Sequence, residues 1–367
     1  MKSIASAPGK IILFGEHFVV HGTKAILAAI DKRVTVTTTF TDNKTIKVNS
    51  ELGTIEVPIS SSHEEVKSEF RPFVYLANRI INSDQNVGGL EITIDSDIPI
   101  GVGLGSSSAC CVAAIASILG LFKDKEWYAA SNKRVSYEEI IKMSIEAEKT
   151  IFPDTSGADC TVCTYGGMIV YDKINGIKRI DTTFDPDFMI VNSMIPHSTK
   201  RSVEKVSKFK EKNEGRFSEL CALETKLIDE VKNALKNKDL AEGWQRCSAT
   251  LGLKMSENQK YLEEIQVSND TLDGIISIAR GDENPYGSWT DGAKITGAGD
   301  GGCVIVLVDK NIMKQNFELS NIPYEGAGAE ELTEKERGKL GWINFGKGTE
   351  CFWGRVDTRG VERSKVE

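Results

Sequence analysis

The sequence predicts an α+β protein of two domains, and three observations carry that prediction. At 367 residues the chain is too long for one ordinary domain and comfortable for two. Its first third is rich in β-branched and alternating stretches that give way to two helical ones. After a polar break it shows a strand pattern, a long helical region and a strand–turn–strand.

Residues 25–30 are a short apolar run of ambiguous type, whereas 34–39 are β-branched throughout and form a strand. Leu90, Ile92 and Ile94 alternate with polar residues before a Gly-rich turn. One helix runs from the serine cluster at Ser106 to Leu119. A second opens at Ser136, with Glu139 three residues on as a capping box, and ends at Glu148. A return strand is expected over 165–171. The composition turns polar around 181–187, with Pro186, which sets the domains at 1–183 and 184–367. Beyond a strand at 188–193, residues 201–264 are helical, and Leu220, Leu223, Leu227, Val231 and Leu235 mark a core-facing stripe. A strand–turn–strand spans 294–309, and the charged tail beyond Glu330 has Trp342 and Trp353 as its large anchors.

The charge balance, 53 acidic against 45 basic residues for a net −8, argues against a protein that wraps nucleic acid or coats an anionic membrane. The eight cysteines are scattered, so no disulfide framework is expected. Cys160 and Cys163 have zinc-ligand spacing but no second pair, and are taken as small core residues. Met1-Lys2-Ser3-Ile4 leads into no apolar signal region. The 25 uncharged residues 98–122 could span a bilayer by length, but Pro99 and three glycines break the first half. A soluble, cytoplasmic protein without nucleic-acid or membrane partners is the expectation.

Glycine is in modest excess, 33 residues, and the excess is clustered. Gly101-Val102-Gly103-Leu104-Gly105-Ser106-Ser107-Ser108 lies between a strand and a small-residue helix. Converging backbone N–H groups and the helix dipole make such a loop a phosphate site, although a tight turn with a serine cap shares the pattern. Gly297-Ala298-Gly299-Asp300-Gly301-Gly302 satisfies GxGxxG literally, but a strand follows it where a dinucleotide fingerprint must open a helix. Gly341 to Lys347 nearly matches a Walker A loop, yet Gly348 replaces the required Ser or Thr.

Three segments in order then resemble the GHMP kinases, the superfamily of galactokinase, homoserine kinase, mevalonate kinase and phosphomevalonate kinase. They are Ser6-Ala7-Pro8-Gly9-Lys10 running into Gly15-Glu16-His17, the Gly–Ser loop, and Lys294-Ile295-Thr296-Gly297-Ala298-Gly299. Within the superfamily, Gly15 to Gly22, Pro153 to Asp159 and Pro196 to Lys200 are similar to the mevalonate kinases. Asp300 departs from the pattern, standing where a further glycine is usual, and the segment before Lys294 is atypical.

The resemblance implies a two-domain fold, with an N-terminal domain like domain 2 of ribosomal protein S5 and a ferredoxin-like C-terminal domain. It also implies transfer of the γ-phosphate of ATP to the 5-hydroxyl of mevalonate, with Mg²⁺. The expected partners are mevalonate and ATP, with a homodimer as the assembly it allows. Such transfer is mostly positioning and charge neutralisation. The ATP cradle would be Gly101, Gly103, Leu104, Gly105, Ser106, Ser107 and Ser108, with Gly297, Ala298 and Gly299 approaching from the hairpin. Ser107 and Glu148 would hold Mg²⁺. Ile141, Ile145 and Glu148 share a helix face, so this carboxylate points inward and needs a partner, a metal or an internal Arg or Lys.

Asp159 would be the base and Lys10 the cation beside it; by spacing alone Asp159 fits a local turn as well. Glu16, His17 and Thr199 would face the substrate, His17 as an imidazole donor; a hydrogen-bonded core histidine is the alternative for it. Two rivals are a sister kinase acting on phosphomevalonate or on the 3-hydroxyl of mevalonate, and a catalytically silent nucleotide sensor. The phosphomevalonate form of the first predicts added basic residues beside the substrate; the second predicts loss of Asp159, Lys10 or Glu148, and all three are present.

Overall fold

The computed structural model describes residues 2–81, 88–123, 136–196, 198–236, 243–281, 290–308, 345 and 348–363. Its strands form an eight-stranded and a four-stranded sheet. The first contains β1 (Lys2–Phe14), β2 (Lys24–Thr41), β3 (Thr45–Ser50), β4 (Gly53–Pro58), β5 (Gly89–Ser96), β6 (Met168–Asp172) and β7 (Gly176–Ile180). The second takes β8 (Asp187–Asn192), β9 (Thr290–Thr296), β10 (Cys303–Val308) and β11 (Glu350–Arg355), in the order β11-β8-β10-β9. The last described strand, β12 (Glu362–Arg363), returns to the first sheet and pairs with β1.

The helices are α1 (Arg71–Ile81), α2 (Ser106–Lys123), α3 (Tyr137–Glu148), α4 (Ala158–Tyr165), α5 (Thr199–Lys212), α6 (Glu214–Leu235), α7 (Gly243–Glu264) and α8 (Asp270–Arg280). Buried apolar residues from both sheets and their helices form one continuous core. α2 packs on β1 and β2, while α7 and α8 pack on β9. The ambiguous run at 25–30 and the strand at 34–39 are one 18-residue strand, β2. Its first half is buried on both faces between β1 and β6, and its second half alternates between β1 and β5. Two-sided burial erases the period-2 signal, which is why only the second half shows its type.

Four further findings refine the expectations. β1 is a long strand although Pro8 and Gly9 interrupt it, because the pairing shifts register there. Tyr165 ends α4; the strand begins only at Met168, since Gly166 and Gly167 both take positive φ. The long helical region divides into α5, α6 and α7, with Asn213 non-helical between the first two. In the stripe of α6, Leu223 is only partly buried and Glu224 is fully buried instead. Of the expected capping box at Ser136, the serine cap forms, its hydroxyl accepting the Glu139 N–H at 3.2 Å.

A strand, β10, follows the hairpin glycines, in keeping with the rejection of a dinucleotide fingerprint. The Walker-like stretch and Trp342 lie outside the described residues, save Phe345. Among the described residues no helix is long and apolar enough to cross a membrane.

Candidate active site

The site is assembled where β1, the start of α2, the start of α4 and the β9–β10 hairpin meet. The Lys10 backbone N–H donates to the Leu104 carbonyl at 2.8 Å, which ties β1 to the Gly–Ser loop. Gly101, Gly103 and Gly105 all have positive φ, at 75°, 83° and 76°. At Gly105 a Cβ would stand 2.6 Å from the Lys10 Cγ, so the lysine stem occupies the space a side chain would need. Ser106 opens α2, whose first turn carries no acidic residue, so its N-terminal dipole faces the loop uncancelled. On the far side, a Cβ on Gly297 would find the Gly103 carbonyl 3.9 Å away, so the hairpin lies next to the loop.

Lys10 is buried, and its Nζ lies 3.1 Å from Asp159 Oδ2, whose side chain is 34% exposed. Asp159 sits in the first turn of α4 after Gly157, which caps the helix at φ 76° with Ile145 packed where its side chain would be. The carboxylate is therefore aimed from a helix start at Lys10, which is tied to the Gly–Ser loop.

Glu148 faces inward, though its buried face is Ile140, Met143, Ser144 and Ala147 and not Ile141 and Ile145. Its oxygens accept from Ser108 Oγ and from Thr155 Oγ1 at 2.6 Å, with the Cys160 thiol at 3.6 Å. These partners are neutral donors, not the Arg or Lys that spacing left open; Arg79 pairs with Glu146. Ser107 lies beside this group, lining an apolar cavity of about 290 Å³ with Leu52, Phe73, Ile100, Cys110 and Phe152. Among the described residues no three His, Cys, Asp or Glu gather to hold a metal. One carboxylate with hydroxyls is a hard-oxygen set that suits Mg²⁺, which takes few protein ligands and completes its shell with phosphate and water.

His17 has φ 61° and its Nε2 is 2.8 Å from the Ala298 carbonyl. A carbonyl only accepts, so Nε2 holds the proton and the neutral ring offers Nδ1 as an acceptor. The ring's N–H is thus used by the hairpin, and the donor expected for the substrate is not free. Burial draws the His17 pKa down, with the Ala298 bond opposing. Glu16 is paired with Lys294 Nζ, both buried. Burial pushes the Glu16 carboxyl up, while the Lys294 ammonium pulls it back. Thr199 stands exposed at the start of α5. Asp300, at φ 60°, pairs with Lys205 of α5, so the residue that departs from a glycine pattern joins hairpin to helix.

Sequence reasoning missed Lys294 as the Glu16 partner, Glu224 behind Gly15, Thr155 on Glu148, and the apolar cavity. A lysine inside a β-branched strand and a glutamate inside a leucine stripe were visible cues for the first two. The cavity had none, since its lining comes from β3–β4, α1, β5, the loop, the start of α2 and the segment after α3.

Residues 72–167 match the GHMP kinases N terminal domain family. The chain is 34% identical to the mevalonate kinase of Pyrococcus furiosus over 92% of its length and 97% of the relative's. It is 33% identical to that of Thermococcus gammatolerans, covering 91% and 96%. The crystal structure of the Methanococcus jannaschii mevalonate kinase superposes with a TM-score of 0.71 at 27% identity, covering 96% of this chain and 98% of that one. The chain belongs to the mevalonate kinase family of the GHMP kinases.

Proposed function

We propose that the chain transfers the γ-phosphate of ATP to the 5-hydroxyl of mevalonate, giving 5-phosphomevalonate and ADP. The observation that carries the chemistry is the Lys10–Asp159 pair, 3.1 Å apart, with Lys10 hydrogen-bonded to the loop that opens α2. Asp159 accepts the hydroxyl proton as the oxygen attacks. Lys10 offsets the charge that builds on the oxygen and on the γ-phosphate. Loop N–H groups between Gly101 and Ser108, with Gly297 to Gly299 opposite, cradle the phosphates. The apolar cavity beside Ser106 and Ser107 takes the purine.

Glu148, with Ser107 or Ser108, would hold Mg²⁺, whose charge offsets that of the phosphates. A buried carboxylate whose hydrogen-bond partners are all neutral supports that assignment. Glu16, His17 and Thr199 border the alcohol's side. The two buried lysines among the described residues, Lys10 and Lys294, are each matched by a carboxylate, which favours an acceptor that brings no phosphate of its own. The change of sheet between β7 and β8 supports domains at 1–183 and 184–367, with β12 lent back to the first.

The test is ADP release from purified protein, ATP and Mg²⁺ offered mevalonate, 5-phosphomevalonate, homoserine and galactose separately. Turnover of mevalonate above the others is expected. Turnover confined to another alcohol would reject the substrate and keep the phosphotransferase.

A further inference from the structure

The segment that carries Glu16 and His17 is held from behind by a group of polar residues closed off from water. Gly15 has φ 96°, and a Cβ there would lie 2.3 Å from the Lys24 carbonyl, so this backbone is pressed onto β2. Its N–H donates to Glu224 Oε1 of α6 at 2.8 Å, across 209 residues of sequence. Glu224 Oε2 accepts from Asn258 Nδ2 of α7 at 2.7 Å. One residue along, Glu16 accepts from Lys294 Nζ of β9, which also donates to the Ile295 carbonyl. Glu224, Asn258 and Lys294 are 0% exposed and Glu16 is 2% exposed.

Two buried carboxylates stand here near one ammonium, which is paired with Glu16. As packing alone this is a poor choice, because buried ionic groups of this kind are often matched or bettered by apolar ones. What the arrangement supplies is direction, since a backbone N–H and a neighbouring side chain are fixed by partners from three separate elements. We infer that Glu224 is a positioning residue that sets the Gly15–Glu16–His17 segment, and so its face toward the alcohol, by accepting the Gly15 N–H. The inference rests on the proposed placement of the alcohol beside Glu16 and His17. Glu224 itself touches no reacting atom. Its carboxyl is pushed up to about 7 by burial and by the Glu16 charge. A hydrogen-bonding role that survives protonation is consistent with that.

Glu224→Met keeps volume and removes the acceptor. The variant leaves the Gly15 N–H and Asn258 Nδ2 without their buried acceptor, so it is expected to fold with a lowered melting temperature, while KM for mevalonate rises by about tenfold with KM for ATP unchanged. Glu224→Gln keeps an acceptor for Gly15, and Asn258 Oδ1, which has no hydrogen-bond partner among the described residues, turns to meet the new amide; KM returns toward the wild-type value. A folded Glu224→Met with unchanged KM for mevalonate, or with both KM values raised alike, overturns the inference. If that variant is insoluble, Asn258→Ala loosens Glu224 without touching Gly15: a rise in KM for mevalonate alone is expected, and no rise overturns it. The wild type separates the two levels. Without turnover of mevalonate the proposed function fails, and the KM split is then measured on whichever alcohol is accepted.

Discussion

At the residue scale the chemistry rests on which lysine meets which carboxylate. Lys10 is fixed twice, through its backbone to Leu104 and through its side chain to Asp159, so its Nζ has little freedom to wander. Asp159→Asn retains shape and removes the proton acceptor. It is expected to lower kcat by about 10²–10⁴-fold with folding intact, measured by steady-state turnover and circular dichroism. Near-full activity would remove Asp159 from the role of base. Much of this constellation was legible in the residues, because glycines that must take positive φ and a lysine next to Pro-Gly leave marks in a sequence. The wiring of His17 was not legible. Its Nε2 partner is a backbone carbonyl 281 residues away, and no pattern of side chains announces a backbone acceptor.

At the element scale the loop and the strand it faces are built as one piece. Gly105 lies at φ 76° with the Lys10 stem filling its side-chain space. Gly105→Ala must strain the backbone and push Lys10 away from Asp159. The expected cost is about 1–3 kcal/mol of stability, seen as a lower denaturant midpoint. A fall in kcat by about tenfold or more is expected alongside it. An alanine variant as active and stable as the wild type would show that the loop tolerates another path for Lys10. Elements with an alternating, capped or long continuously apolar pattern were visible in advance: the second half of β2, α3 with its Ser136 cap, and α2. Those that hid did so for stated causes. β1 is crossed by Pro8-Gly9, α4 spans only eight residues, and β12 spans only two.

At the scale of the whole molecule, residues as far apart in sequence as Glu16, Glu224 and Lys294 converge on one closed electrostatic group, and its protonation is linked to folding. Glu224 is raised from 4.5 to about 7, by burial first and by Glu16 second. The charged groups around it are Glu16 and Lys294, with Tyr261 and Cys221 as the other titratable neighbours. Between pH 4.5 and about 7 the folded chain therefore keeps a proton on Glu224 that the unfolded chain releases. Stability from this group is full below that window and is lost as pH rises through it. Raised Glu16 acts in the same direction. His17, drawn below its ordinary value, acts oppositely, costing stability as pH falls through 6.5. Glu224→Gln removes the first of these contributions and, by removing a neighbouring charge, lessens the second. The melting temperature of this variant relative to the wild type should therefore climb between pH 5 and pH 8, by an amount equivalent to at most about 3 kcal/mol. Parallel melting curves for the two proteins across that range would mean that Glu224 stays ionised in the fold, with Lys294 compensating both carboxylates.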